Sequence, residues 1–216
     1  ELVDVLGAAG DNDAVMHAIL LEYNLPYKFE EQVEKAANAI DGRITKQDIA
    51  ERRDMRQVPT LTIDPADAKD FDDALSIQPI GEGKWEIGVH IADVSHYVRE
   101  RTHLDRAAMA RGTSVYFTDK VVPMLPPSLS NGACSLNPGE DKYALSAIIN
   151  LSSDGKILTA KLETTVIRSR VRGVYSEVNG IFDGSASSEI LKKYKEVLPT
   201  LSRMKELYLI LRAGSE

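Results

Sequence analysis

Between two short apolar runs, the stretch TLTIDPADAKDFDDALSI at residues 60–77 carries Asp64, Asp67, Asp70, Asp72 and Asp73, with only Lys69 to offset them. Carboxylates held this close raise one another's pKa unless a cation intervenes. An acidic loop is ordinarily a solvated turn, because aspartate favours turns. Here the flanking runs TLTI and DALSIQ read as strands, which anchor both ends of the loop. Phe71 stands inside DFDD. Sunk into a core, it holds Asp70 and Asp72 in place around it. These features favour a hard divalent cation held by oxygen ligands, Mg²⁺ above others.

Two other uses of such carboxylates fail on spacing or context. An EF-hand needs an oxygen ligand at the third position and glycine at the sixth. Counted from Asp64, those positions are Ala66 and Lys69. The D-x-D of a haloacid-dehalogenase-type phosphatase ends a hydrophobic parallel strand, whereas DPADAK precedes DFDDA here. What survives is Mg²⁺-assisted attack on a phosphate ester, two ions about 3.5–4 Å apart stabilising the attacking and leaving oxygens.

Around this loop the chain organises itself in two styles. Residues 11–23 read as a helix capped by Asp11 or Asn12, with Val15, Met16, Ile19, Leu20 and Tyr23 at helical spacing. A second helix runs from Phe29 to Ile40, and a third starts at Thr45 with Asp48 as a capping box. The charged segment ERRDMRQVPT reads as an exposed boundary. From residue 60 the period turns to two. KWEIGVHIAD predicts a half-buried strand with Trp85, Ile87, Val89 and Ile91 on its inner face, after a GEGK turn. A helix follows at 102–111, then the short strand TSVYF and a loop rich in Pro, Ser, Asn and Gly. KYALSAIINL, SSDG and KILTAKLETTVIRS form a long hairpin, and a helical tail begins at Val174. The expected fold class is α+β, a mainly antiparallel sheet core with flanking helices.

A chain of 216 residues, 43% hydrophobic, holds one domain with a real core, or one plus an appendage. No apolar run approaches the ~18 residues of a membrane span. ELVDVLGAAGDND lacks the pattern of a signal peptide, and a single Cys134 permits no internal disulfide framework. The expectation is a soluble cytoplasmic protein. The start without Met and the end at LYLILRAGSE suggest a piece of something longer. The net charge of −7 argues only weakly against a polyanion partner, since net charge is not local charge.

The run TIDPADAKDFDDA, VHIADVSHYV, RGTSVYF and PMLPPSLSNGACSLNP, from Thr62 to Pro138, resembles the RNB-type catalytic domain of the RNase II/RNase R family. GTSVYF and CSLNP make it more similar to the RNase R branch. The resemblance implies a processive 3′-to-5′ exoribonuclease that hydrolyses single-stranded RNA to nucleoside 5′-monophosphates and depends on Mg²⁺. Its D-x5-D-x-D-D pattern falls on Asp64, Asp70, Asp72 and Asp73, leaving Asp67 outside. All four are implied as metal-site residues, with Asp72 the one most directly tied to cleavage. Tyr116 matches a tyrosine that stacks at the RNA 3′ end. Tyr175 matches one near the last sugars, where the 2′-hydroxyl separates RNA from DNA. From the residues alone, each tyrosine reads as core filling.

The resemblance further implies a helical lead-in over 1–57 after a cold-shock domain, and the N-terminal part of the catalytic domain over 58–216. An arginine-rich motif, a supporting glutamate and an OB-type RNA-binding domain are implied beyond it, so this chain alone is expected to be inactive. His90, on the opposite side of its strand from Val89 and Ile91, reads with His96 as structural or surface, and Cys134 as a small buried residue. The arginines of RSRVR at 168–172 read either as a phosphate-facing basic strand or as a solvated edge. Two rival functions stay open: a catalytically silent binding or assembly module, and an Mg²⁺-dependent phosphoesterase acting on small nucleotides.

Overall fold

A computed structural model describes residues 7–8, 10–117 and 120–213. In chain order, the Asp11 side chain caps α1 (Asn12–Glu22). Helix α2 (Glu31–Asn38) buries Val33 and Ala37. Thr45 and Asp48 form a reciprocal capping box ahead of α3 (Lys46–Glu51). Strands β1 (Arg53–Asp54), β2 (Thr60–Asp64), β3 (Asp73–Pro79) and β4 (Trp85–Ala92) follow. After α4 (Val94–Tyr97), α5 (His103–Arg111) starts at the Thr102 cap and stops at Gly112, whose φ of 73° suits glycine. Strands β5 (Val115–Tyr116) and β6 (Val121–Val122) pair, and a single π turn occupies Leu129–Ala133. The hairpin of β7 (Asp141–Leu151) and β8 (Ile157–Val174) leads into α6 (Tyr175–Asp183), α7 (Ser188–Lys193) and α8 (Leu198–Ala213). Among the described residues no helix is long and apolar enough to cross a membrane.

These elements form two compact units. The first takes the residues up to Ile40 together with Val98–Ser128. Its core gathers Met16, Leu20 and Val122 with Leu25, Tyr27, Val115 and Phe117.

The second unit, Asp41–Tyr97 with the chain from Leu129 on, holds the main sheet. Strand β2 pairs with β3, β3 with β4, β4 with β7 and β7 with β8, all antiparallel. Strand β8 then pairs back to β2 in parallel, so the hydrogen bonds close a ring. Within such a ring these strands leave no bare edge between them. Strand β1 lies parallel to β8 outside the closure.

Closure reverses the expected faces of β4. Gly88, His90 and Ala92 are the buried set, while Ile91 is 47% exposed. Around Gly88 and His90 the interior is filled by small and hydrogen-bonded side chains, while Ile148 and Ile167 join Ala92 and Ala144 in the buried cluster; on β4 the bulky apolar alternates turn outward. At one end they are covered, where Trp85 and Ile87 pack with Ile77, Leu151 and Leu207. Inside, the His90 ring lies between Ser76 (Nε2 to Oγ, 2.9 Å) and Ser146 (Nδ1 to Oγ, 2.7 Å). Ser146 meets the Thr165 hydroxyl at 2.6 Å, and Thr165 donates to the Ala144 carbonyl at 3.3 Å. With that last proton committed, Ser146 donates to Thr165 and accepts from the Nδ1–H of His90; burial lowers the ring's pKa to about 4 and keeps it neutral, so Nε2 accepts from Ser76. Gly88 makes the space: a Cβ there would lie 2.4 Å from His90 Nε2.

The segment ERRDMRQVPT is not an exposed stretch. Arg52 pairs with Asp93 at 2.8 Å and lies over the Tyr143 ring, Arg53 bridges Glu86 and Glu163, and Met55 is buried. The acids that match these arginines lie far along the chain, so local composition misreads the segment as solvated.

Candidate active site

The acidic loop spans the gap between β2 and β3 at one end of the ring. Asp64 is the last residue of β2 and Asp73 the first of β3. Between them Phe71 is buried among Met55, Ala74, Ala92, Leu136 and Ala144, several of which line the ring. Its backbone is held from both sides: its N–H donates to Ser135 Oγ at 3.0 Å, and its carbonyl accepts from Leu136 N–H at 2.8 Å. The Asp72 carbonyl accepts from Ala92 N–H at 2.9 Å. The loop around Cys134 thus pins the centre of DFDD to the sheet. Phe71 as an anchor was legible in the sequence; Ser135 and Leu136 as its clamps were not, because nothing in their local spacing points to residue 71.

Strand β8 contributes the other side. Asp64 stands opposite Val174, the residue before Tyr175. The two strands approach closely here, since a Cβ on Gly173 would lie 2.3 Å from the Thr62 carbonyl oxygen. Tyr175 therefore begins α6 beside the acidic loop, with 56% of its surface exposed. The Val174 N–H donates to the Tyr194 hydroxyl, which itself donates to Glu177 at 2.6 Å. Buried Tyr194 and Glu177 so fix the start of α6, a role that sequence spacing does not signal. Tyr116 is 63% exposed on β5 and belongs to the first unit.

Charge dominates this end of the ring. Burial raises the Asp64 carboxyl above the usual carboxylate range; the nearby Thr62 hydroxyl and the Arg172 charge oppose the shift, and Asp73 and Asp70 add to it. The Asp72 carboxyl is raised too, first by the protein packed around it, then by Asp70, Asp73 and Asp64. The structure thus brings the four aspartates into one mutually repelling set, Asp64 and Asp70 half-buried and Asp72 and Asp73 exposed, as Asp67 is in the loop. Asp64 Oδ2 is buried without a hydrogen-bond partner.

A hard divalent cation fits this donor chemistry. Every candidate ligand is a carboxylate oxygen, and one of them is orphaned. As the side chains lie, no three of His, Cys, Asp or Glu among the described residues enclose an ion, so binding has to draw the carboxylates together.

The remaining candidates are structural. His90 lies inside the ring. His96 stacks on Tyr143 at 4.2 Å between centroids. Burial pushes the Cys134 thiol up to about 12, which leaves it without a thiolate at neutral pH. The RSRVR arginines match neither reading offered by the sequence. Arg168 pairs with Asp141, Arg170 donates to the Arg56 carbonyl, and Arg172 donates to the carbonyls of Ala66 and Ala68.

The RNB domain matches residues 52–214. Ribonuclease R of Thermotoga maritima is 39% identical over 209 residues, which cover 96% of this chain and 29% of that protein. The structure of Mycoplasma genitalium RNase R in complex with ribose methylated single-stranded RNA superposes with a TM-score of 0.90 at 31% identity, covering 98% of this chain and 32% of that one. Yeast Ssd1, a pseudonuclease, shares the fold at a TM-score of 0.78 and 21% identity, over 98% of this chain and 26% of that one. The chain therefore spans about a third or less of the length of each of these proteins.

Proposed function

Since this chain belongs to the RNB-domain family, we propose that it carries the carboxylate part of a 3′-to-5′ exoribonuclease site that hydrolyses single-stranded RNA with Mg²⁺. The observation that carries this reading is the set of four aspartates clamped between β2 and β3, with a buried Asp64 oxygen left unpartnered.

In this reading Asp64, Asp70, Asp72 and Asp73 hold the metal, which when bound supplies positive charge against the scissile phosphate and lowers the pKa of the attacking water. Asp72, between the anchored Phe71 and the first residue of β3, orients that water. The water oxygen forms a bond to phosphorus, the 3′ oxygen of the preceding nucleotide leaves, and a nucleoside 5′-monophosphate is released. Tyr175 contacts the last sugars and reads the 2′-hydroxyl. Tyr116 stacks on a base, a grip that tolerates any sequence. Residues 1–57 form the lead-in from a cold-shock domain, and that domain and an OB-type domain of the same polypeptide supply most of the RNA contact. The protein works in the cytoplasm.

Replacing Asp72 by Asn in the full-length polypeptide abolishes cleavage of a 3′-labelled oligoribonucleotide while RNA affinity stays within a few-fold; near-normal turnover would refute the role of Asp72. This chain alone is expected to show little or no decay of the same oligonucleotide, with or without a chelator. Mononucleotide products from a long RNA separate this reading from a phosphoesterase restricted to small nucleotides. A silent module, as in the yeast pseudonuclease, is disfavoured by the presence of all four aspartates.

A further inference from the structure

We propose that Arg172 is a positioning residue for the acidic loop: it gathers the loop's carbonyls and so sets how far Asp64 stands from Asp70, Asp72 and Asp73. The proposal rests on the reading of those aspartates as metal ligands.

Arg172 lies on β8 opposite Thr62. Its Nη2 donates to two carbonyls of the loop, Ala66 and, at 3.1 Å, Ala68. Its guanidinium carbon lies over the Phe71 ring, 5.2 Å from the centroid. One planar group therefore touches the loop's ascending half through hydrogen bonds and its apolar anchor through the ring face. Only a guanidinium combines a rigid multi-donor fork with a flat face that stacks; an ammonium does one or the other.

The arrangement has a cost that points away from a purely stabilising role. Both hydrogen bonds of Arg172 go to main-chain carbonyls, and its charge also reaches Asp64. Its Nε is buried without a partner, an arrangement that costs stability. A stabilising device would have spent the cation on a carboxylate. Its Nη2 is committed to main-chain carbonyls, which folds the loop back toward β2 and leaves the unpartnered Asp64 Oδ2 to another cation. Without this tie, mutual repulsion spreads the loop.

The test uses Mn²⁺ as a paramagnetic stand-in for Mg²⁺. Binding is followed by electron paramagnetic resonance on this chain and on its Asp64→Asn, Arg172→Met and Arg172→Lys variants. Mg²⁺ activation and RNA affinity are measured on the full-length polypeptide. Residues that orient metal ligands typically change affinity about 10–100-fold when replaced, so Arg172→Met is expected to weaken Mn²⁺ by about 10-fold or more. The Mg²⁺ concentration for half-maximal cleavage rises in parallel, kcat recovers largely at saturating Mg²⁺, and RNA affinity is unchanged. Arg172→Lys keeps the charge and the stem; it is expected to fold and to weaken Mn²⁺ by a smaller factor. Unchanged Mn²⁺ affinity in Arg172→Lys and Arg172→Met, or a loss confined to RNA affinity, overturns the proposal. If Asp64→Asn abolishes Mn²⁺ binding while the Arg172 variants bind normally, only the positioning role falls. If the wild-type chain binds no Mn²⁺, the metal-site reading falls and takes the proposal with it.

Discussion

Replacing His90 by glutamine flattens the way the stability of this chain depends on pH. The imidazole is fully buried and held between Ser76 and Ser146. Burial pushes its pKa down from 6.5 to about 4, with the nearby Arg53 charge adding to the shift and Glu86 opposing it. In the folded chain the ring therefore stays neutral down to about pH 4, while in the unfolded chain it takes a proton below about pH 6.5. Between those values the unfolded state binds more protons. The contribution of the neutral ring is complete above pH 6.5 and is lost as pH falls toward 4. From pH 7 to pH 5 this single group accounts for about 2 kcal/mol of lost stability. Glutamine can still bond both serine hydroxyls but does not titrate. Urea unfolding of both proteins at pH 7 and pH 5 gives four free energies. The wild type is expected to lose about 2 kcal/mol more between the two pH values than His90→Gln does. All other residues are the same in the two proteins, so their contributions cancel. Equal losses in the two proteins would show that the ring is charged or hydrated when folded, against the neutral imidazole assigned here.

Gly173→Ala places a methyl 2.3 Å from the Thr62 carbonyl and must part β2 from β8 beside Asp64; Mn²⁺ affinity is expected to fall along with the urea midpoint, and an unchanged affinity would argue against strand contact as the support of Asp64. Phe71→Ala empties the anchor of the acidic loop and costs about 3–5 kcal/mol by urea unfolding. Ser135→Ala leaves the buried Phe71 N–H without its acceptor and costs about 1–3 kcal/mol, measured in the same way. In the full-length polypeptide, Tyr175→Phe is expected to narrow the preference for RNA over DNA oligonucleotides with little loss of RNA cleavage; equal discrimination by mutant and wild type would remove the hydroxyl from that role.

The parts of this fold that can be read from sequence are those whose physical cause lies within a few residues. The Thr45–Asp48 capping box, the GEGK turn and the SSDG hairpin are of this kind. The acidic site was legible for the same reason, because all four aspartates share one loop. What escaped depends on partners far along the chain. The pattern of β4 identifies a strand with one apolar face, but ring closure decides which face is inside, and closure requires β8 to return to β2. The arginines of 52–56 look solvated until Asp93, Glu86, Glu163 and Asp141 arrive from other strands. Tyr175 was reached through family resemblance. The register of Asp64 against Val174 gives it an independent place beside the loop. Arg172 was noticed as one of three alternating charges, and its attachment to Ala66 and Ala68 carried no sequence signal.

The closed ring has a consequence for a chain emerging from the ribosome. Asp64 is set in place by pairing with the end of β8, and the two lie far apart in sequence. At about 5–20 residues per second, that end of β8 appears roughly 5–20 s after the acidic loop does. Until then β2 and β3 can meet only as part of an open sheet, and the loop between them has no wall to rest against. Closing contacts of such long range is slow even in a finished chain. A nascent chain thus holds every aspartate well before it holds a site, and the onset of Mn²⁺ binding in refolding would time the joining of β8 to β2 rather than the collapse of the core.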